Sequence, residues 1–442
     1  MKEDQSRSKV PIYPGQSSLL ILPFLILVAG IVSVIPIRSC TALDFGTINS
    51  ALAEAMLDED LEQIHEIVAA ATKLLGDRAG VPEEAPQYRA VPSDALAFSE
   101  EEAHGGFLPW FERLEAIRWW EVGTDPTQLE SPLRVPASVI LGNVAACRAE
   151  LGDSAQSLTL ATDAAAFLIW SQAQAGAGLY PFPAARDTSD SRAMQVASRF
   201  LEHAERAGKL NSVVRRGWIF QDLGDGGLQF DNGECGVAML ELYQLTREKS
   251  YLDSARAAAD WAIAAPLCTN WNYNAFSVDL LAGFYLVTGE EAYRTAALEK
   301  ARFGVIPGQL REGPNRGRWF DPHNARAPYH YIMMRALARL AGCLPADHPD
   351  REAVVEALRL GLQTRNAEIL AHGVMNKDDA IPALILTARV FETNSDFLEK
   401  TLSLKALDLL ERLAATEYRH GKAPLSPASW GLLMEWVASR GN

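Results

Sequence analysis

The feature that most constrains this chain is a repeat of helix pairs with no strand pattern of useful length beside it. Leu242-Tyr243-Gln244-Leu245-Thr246-Arg247-Glu248-Lys249-Ser250-Tyr251 closes one apolar-periodic stretch and opens the next, and Gly283 to Tyr293 does the same 42 residues later. Thr246 to Tyr251 and Thr288 to Tyr293 share their spacing, and Val390 to Phe397 is a shorter echo. Units of this length cannot bury an apolar face alone and must stack on neighbours. First helices are expected near Pro136, Asn232, Asn274, Pro328, Lys377 and Ala428, and second helices near Ser154, Tyr251, Glu291, Asp350 and Ser395. The aromatic stretch Phe107 to Val122 supplies the twelfth. The pattern predicts an all-α chain folded as an (α/α)6 toroid of six hairpins, with inner helices buried all round and outer helices amphipathic.

The connections are unequal. Turns within a hairpin are short and polar, as at Gly152-Asp153 and Gly289-Glu290, whereas Gly176 to Asp231, Leu267 to Tyr273, Val305 to Ala327, His372 to Asn376 and Tyr418 to Pro427 are long. Alternation places the long loops together on one face, and long loops in a compact domain are usually functional. The helical stretch Ser191 to Gly208 fits this parity as an excursion on that face. The loop-to-helix junction Gly226-Gly227-Leu228-Gln229-Phe230-Asp231-Asn232-Gly233-Glu234-Cys235-Gly236 stands out. Asp231 or Asn232 is its expected N-cap, which puts Glu234 in a first turn where the helix dipole favours an anion.

Upstream, Leu19 to Ile37 is an uncharged run preceded by Lys2, Arg7 and Lys9. Its length suits a bilayer span, and the basic flank keeps the N-terminus inside. Three regions follow: residues 1–40 as cytoplasmic tail and transmembrane anchor or signal peptide, 41–94 as helical stalk and Pro-rich linker, and 95–442 as the toroid. The expected location is the cell membrane, single-pass with an exported periplasmic or extracellular body, or secretion if the segment is cleaved at Ser39-Cys40-Thr41-Ala42. A net charge of −15, with no Lys/Arg stripe, excludes a nucleic-acid partner. The cysteines lack zinc spacing, Asp222-x-x-Asp225 lacks EF-hand spacing, and no phosphate loop or dinucleotide fingerprint occurs, so neither metal nor cofactor is expected.

The hairpin repeat and the junction Gly226 to Gly233, with Tyr180-Pro181-Phe182-Pro183 and Asn270-Trp271-Asn272-Tyr273-Asn274, resemble the six-hairpin (α/α) superfamily of glycoside hydrolases, polysaccharide lyases and uronyl epimerases. The resemblance covers roughly Ala95 to Arg440 and implies a carbohydrate cleft at the N-terminal ends of the inner helices. A glycosidase needs two carboxylates, and Asp225, Asp231, Glu234, Asp321, Asp378 and Asp379 fall on that face. A lyase or epimerase needs a base and cations for a developing enolate, and Asp321 to Tyr331 gathers those types. The candidate catalytic residues are Asp231, Arg326, Tyr329 and His330. The candidate substrate-binding residues are Trp218, Phe230, Asn232, Glu234, Trp271, Asn272, Tyr273, Trp319 and His323. The expected partner is an oligo- or polysaccharide, uronate-containing ones included, with the membrane engaged through the N-terminal helix. The alternative is a non-catalytic, membrane-anchored glycan-binding or scaffold protein. Protease added to intact spheroplasts is expected to digest the body; a body protected there, or recovered in the cytosol, contradicts export.

Overall fold

The computed structural model describes residues 45–105, 120–186, 191–422 and 425–440. The expected span Leu19 to Ile37 and the whole of 1–40 lie outside them, as do Asp187 and the expected aromatic helix apart from Trp120 to Val122, which form an irregular turn. Among the described residues no helix is long and apolar enough to cross a membrane. Two N-terminal helices, α1 (Phe45–Leu57) and α2 (Leu61–Leu75), precede the repeat. The helices that follow are α3 (Arg134–Arg148), α4 (Ser154–Ala175), α5 (Arg192–Arg206), α6 (Leu228–Thr246), α7 (Lys249–Ala264), α8 (Trp271–Thr288), α9 (Glu291–Gly304), α10 (Ala327–Cys343), α11 (Arg351–His372), α12 (Lys377–Val390), α13 (Ser403–Arg419) and α14 (Pro427–Ser439).

Six of these close a ring. α3 packs on α6, α6 on α8, α8 on α10, α10 on α12, α12 on α14, and α14 returns to α3. They are the six expected first helices, and α4, α7, α9, α11 and α13 lie outside them. The inner helices are buried all round, as in α8, where Asn274 to Phe284 is an unbroken buried run. One expected outer start is displaced: Ser395–Lys400 is only a short helical turn, and α13 begins at Ser403.

The repeated Thr-x-Glu pattern has a local cause. Thr246 and Thr288 each donate a hydroxyl hydrogen bond to the preceding turn, at Leu242 and Phe284, and accept from the amides of Glu248 and Glu290. The residue after each threonine, Arg247 or Gly289, is left-handed and ends the helix. One turn chemistry is used twice.

Closure of the ring depends on glycine. α14 and α3 approach backbone to backbone, so a Cβ at Gly431 would lie 2.3 Å from the Gly142 carbonyl oxygen. The amide of Ala428 also donates to Ser138 Oγ at 3.0 Å, tying the first turn of α14 to α3. The long excursion between α4 and α6 carries a small antiparallel sheet, β1 (Phe182–Pro183), β2 (Val214–Arg215) and β3 (Trp218–Ile219), in the order β1-β3-β2. Helix α5 lies within this excursion, as the parity of the hairpins requires.

A ring of six helices leaves an axis to fill. Here it carries an alternating chain of charges: Glu234 pairs with Arg335, Arg335 with Asp279, Asp279 with Arg339, Arg339 with Glu241, and Glu241 with Arg148. A cavity of about 90 Å³ runs beside them, walled by Leu141, Val144, Val237 and Ile385. Burial pushes the Asp279 carboxyl up, but Arg339 and Arg335 outweigh it and hold it below the ordinary value.

After a short 3-10 turn at Gly76–Arg78, residues 79–98 are irregular, largely extended and proline-rich, as a linker would be, yet the body holds them along their length. The Gly80 amide donates to Phe320 O at 2.8 Å, Arg89 and Val374 exchange backbone hydrogen bonds of 2.8 Å, and the Phe98 amide donates to Glu411. Apolar residues of α1 and α2 such as Leu52 and Ile64 belong to the main core cluster. Gly431→Ala is expected to lower the melting temperature by several degrees, since overpacking costs about 1–3 kcal/mol. Gly283→Ala is the control, because a methyl there meets nothing closer than 3.4 Å; equal melting temperatures for the two would show that the close approach is not what closes the ring.

Candidate functional site

All six inner helices run the same way, so their first turns, with their unpaired amides and positive dipole ends, converge on the long-loop face. Helix α6 starts at Leu228, one turn before the expected cap, and its N-cap Gly227 makes no side-chain capping bond. Asp231 therefore lies inside the helix and serves its neighbour: Oδ1 accepts from the Arg134 amide at 3.2 Å, where α3 begins, and Oδ2 faces the Arg134 guanidinium at 3.7 Å. Burial raises its carboxyl, and Arg134 opposes that rise. The Arg134 guanidinium also covers the Phe230 ring at 4.0 Å, and Phe230 stacks on Phe276 at 4.2 Å. Asn232 accepts from the Tyr180 amide and donates to Ala258 O, fixing the excursion to α7. It is a buried brace, with no polar group left for a ligand.

The Asp321-to-Tyr331 cluster is also committed inward. Asp321 accepts from the amide and side chain of Asn324, Asn324 accepts from Asn272, and Asn272 donates to Asn270, which meets His323. His323 stacks on Tyr329 at 4.7 Å and contacts the guanidinium of Arg326, which lies 5.0 Å from the Tyr329 ring centre. His330 is fully buried, and its Nε2 accepts from the Trp319 amide at 3.3 Å. Burial, with Arg365 and Arg318 nearby, holds its imidazole well below the ordinary range. A proton acceptor already in use and shut from water is a structural histidine, not the base that its place in the sequence suggests.

Three of the expected platforms are pillars. Trp218, Trp271 and Trp319 are completely buried. Trp218 meets Trp170 edge to face at 5.9 Å, Trp271 meets Phe320, and Trp319 donates its indole N–H to Val305 O at 2.8 Å. None presents a ring face to a ligand. Phe230 and Tyr273, by contrast, are only partly buried. The Tyr273 hydroxyl is raised well above its ordinary value by burial, with Asp225, Tyr329 and Arg134 among its neighbours.

Two carboxyls stand apart from these pairings. Asp225, in the loop before α6, is exposed in its residue surface, yet the protein around its carboxyl and then Asp222 push that group up to about 6. Asp379, in the first turn of α12, is pushed up to about 8 by burial and then by Asp378. Asp378 is tied to the Ser426 amide. Arg335 would ionise Asp379, but it is already paired with Glu234 and Asp279. Sequence spacing placed both residues on the long-loop face, where the structure has them, and gave no way to choose them. The contribution of Arg134, at the head of the first inner helix, had no sequence signal.

No family model matches the chain, and no curated protein matches it. Among solved structures it is similar to a polysaccharide lyase (12% identity, TM-score 0.46, 77% of this chain and 95% of that one). It is also similar to a sugar epimerase from a ruminal bacterium (11%, 0.48, 78% and 98%) and to a family 88 glycosyl hydrolase from Bacteroides vulgatus (12%, 0.45, 78% and 99%). At that level the likeness says nothing about which residues act. Asn232→Ala is expected to lose both bracing hydrogen bonds, worth about 2 kcal/mol together, and to melt a few degrees lower. Asn232→Asp sets a buried carboxylate oxygen against Ala258 O and should melt lower still near neutral pH; an unchanged melting temperature for the alanine variant would remove the brace.

Proposed function

We propose that the protein cleaves a saccharide chain by acid–base chemistry at the N-terminal ends of the inner helices, with Asp379 and Asp225 as the working carboxyls. The observation that carries this reading is one of placement: Asp379 in the first turn of α12 and Asp225 in the loop before α6 both lie at the N-terminal ends of inner helices, where their surroundings push them up to about 8 and about 6. Titratable groups driven apart by environment mark an acid and a base. Asp379, neutral at pH 7, supplies a proton to the leaving glycosidic oxygen. Asp225, mostly ionised at pH 7, activates water or attacks the sugar. The Arg134 guanidinium over Phe230 and the hydroxyl of partly buried Tyr273 offer polar contacts at the same end. The closed ring of six helices supports the likeness to the six-hairpin superfamily, and export by the N-terminal segment belongs to the same reading.

Hydrolysis is better served than elimination. His330 has given its lone pair to a backbone amide, and burial has moved the Tyr273 hydroxyl away from a base's range. The sign of the pH dependence follows. Activity needs Asp225 deprotonated, so it rises through about pH 6, and needs Asp379 protonated, so it falls through about pH 8. The expected profile of kcat/KM is a bell centred near neutrality. Asp225→Asn and Asp379→Asn are each expected to lose about 10²–10⁴-fold and to abolish the acid and alkaline limb respectively. The assay follows new reducing ends across neutral and uronate polysaccharides. Ultraviolet absorbance of an unsaturated uronate product would replace hydrolysis by elimination, and binding without turnover at any pH would leave a glycan-binding protein.

A further inference from the structure

We infer that the N-terminal strap builds an outlying sugar-binding subsite: Tyr88, with His372 beside it, is an aromatic platform for a pyranose ring of the same saccharide chain. This rests on the reading of the cleft above. The two rings lie 5.2 Å apart, tilted by 48°. Tyr88 is half-buried and His372 exposed, on the face where α11 ends and α12 begins. The core has no need of them: strap residues 83–87 are exposed, and the charged groups acting on Tyr88 are Glu368, Arg365 and Arg318.

The backbone beneath Tyr88 is fixed. Arg89 and Val374 exchange hydrogen bonds of 2.8 Å in both directions. Gly373 takes a φ of +106°, and a Cβ there would lie 2.5 Å from the Arg89 carbonyl oxygen, so the two strands meet only because that residue is glycine. Pro82, Pro86 and Pro92 stiffen the strap on either side. A ring held this way loses little freedom when it stacks on a ligand, which is what makes an exposed aromatic a useful contact.

The platform is also joined to the turn that carries Asp379. The Arg89 side chain pairs with Glu417, and Glu417 also takes Lys377, two residues before Asp379. From Val374 to Asp379 is five residues, a reach of at most about 17 Å. A saccharide seated at Asp379 and continuing over the strap passes Tyr88 and His372 with its apolar C–H faces available for stacking.

The test uses the full chain and end-labelled di- and hexasaccharides of pectate, alginate and xylan, with affinity read by fluorescence anisotropy. The parent is expected to bind one hexasaccharide more tightly than its disaccharide. Tyr88→Ala is expected to weaken the hexasaccharide about ten-fold and leave the disaccharide unchanged, which also shows that the variant is folded. Tyr88→Phe keeps the ring and should bind as the parent does, and His372→Ala should give a smaller loss of the same kind. Parent-like hexasaccharide binding by Tyr88→Ala and His372→Ala overturns the subsite while leaving the cleft intact. Equal loss for both ligand lengths overturns it too, since Tyr88 would then act on the carboxyl site itself. A parent that binds no saccharide of either length overturns the cleft reading and this inference with it.

Discussion

The ion pairs along the toroid axis are the constraint that the rest of this molecule answers to. Six helices packed in a ring cannot fill their own centre with apolar side chains from each wall. Here the gap is crossed by Glu234, Arg335, Asp279, Arg339, Glu241 and Arg148, alternating in sign. A buried charge is tolerable only when paired, and removing one partner leaves the other exposed to the full desolvation penalty. The chain therefore fixes which face of α3, α6, α8 and α10 points inward. It also fixes their rotation and the direction in which their first turns look.

That pairing shapes the chemistry at the mouth. Arg335 is the cation that acts on Asp379, but its commitment to Glu234 and Asp279, with Lys377 held by Glu417, leaves Asp379 beside Asp378 with its carboxyl pushed up. Asp231 differs in its partners: more deeply buried and also raised, it has Arg134 and that residue's amide beside it and acts as a brace between α3 and α6. Two aspartates on one rim differ in role because their neighbours differ.

The sequence was most legible where structure is local. The twin threonines at Thr246 and Thr288 announced the hairpin turns because each bonds within its own turn, and the six inner helices follow from runs of apolar residues. The site was less legible because its decisive pairs are distant: Glu234 meets Arg335 101 residues on, and Arg89 meets Val374. Tryptophans in loops read equally well as ligand platforms or as pillars, and Trp218, Trp271 and Trp319 are pillars because each has packed neighbours on the body side. The strap defeats periodicity altogether. An extended segment satisfies its backbone against whatever lies beneath it, and the residues beneath it are hundreds of positions away.

The meeting of Gly142 and Gly431 has a consequence for how the chain is made. The ring is completed by joining its first inner helix to its last, the most distant pairing in sequence among the six. Every earlier helix leaves the ribosome with one flank of the ring still open, so apolar surface stays uncovered until α14 arrives. Contacts of such wide separation form slowly, and an unfinished toroid is a particle with two sticky edges. The small, bare surface of two glycines makes that last docking step a matter of sliding backbone against backbone, with few side chains to interdigitate before the edges disappear.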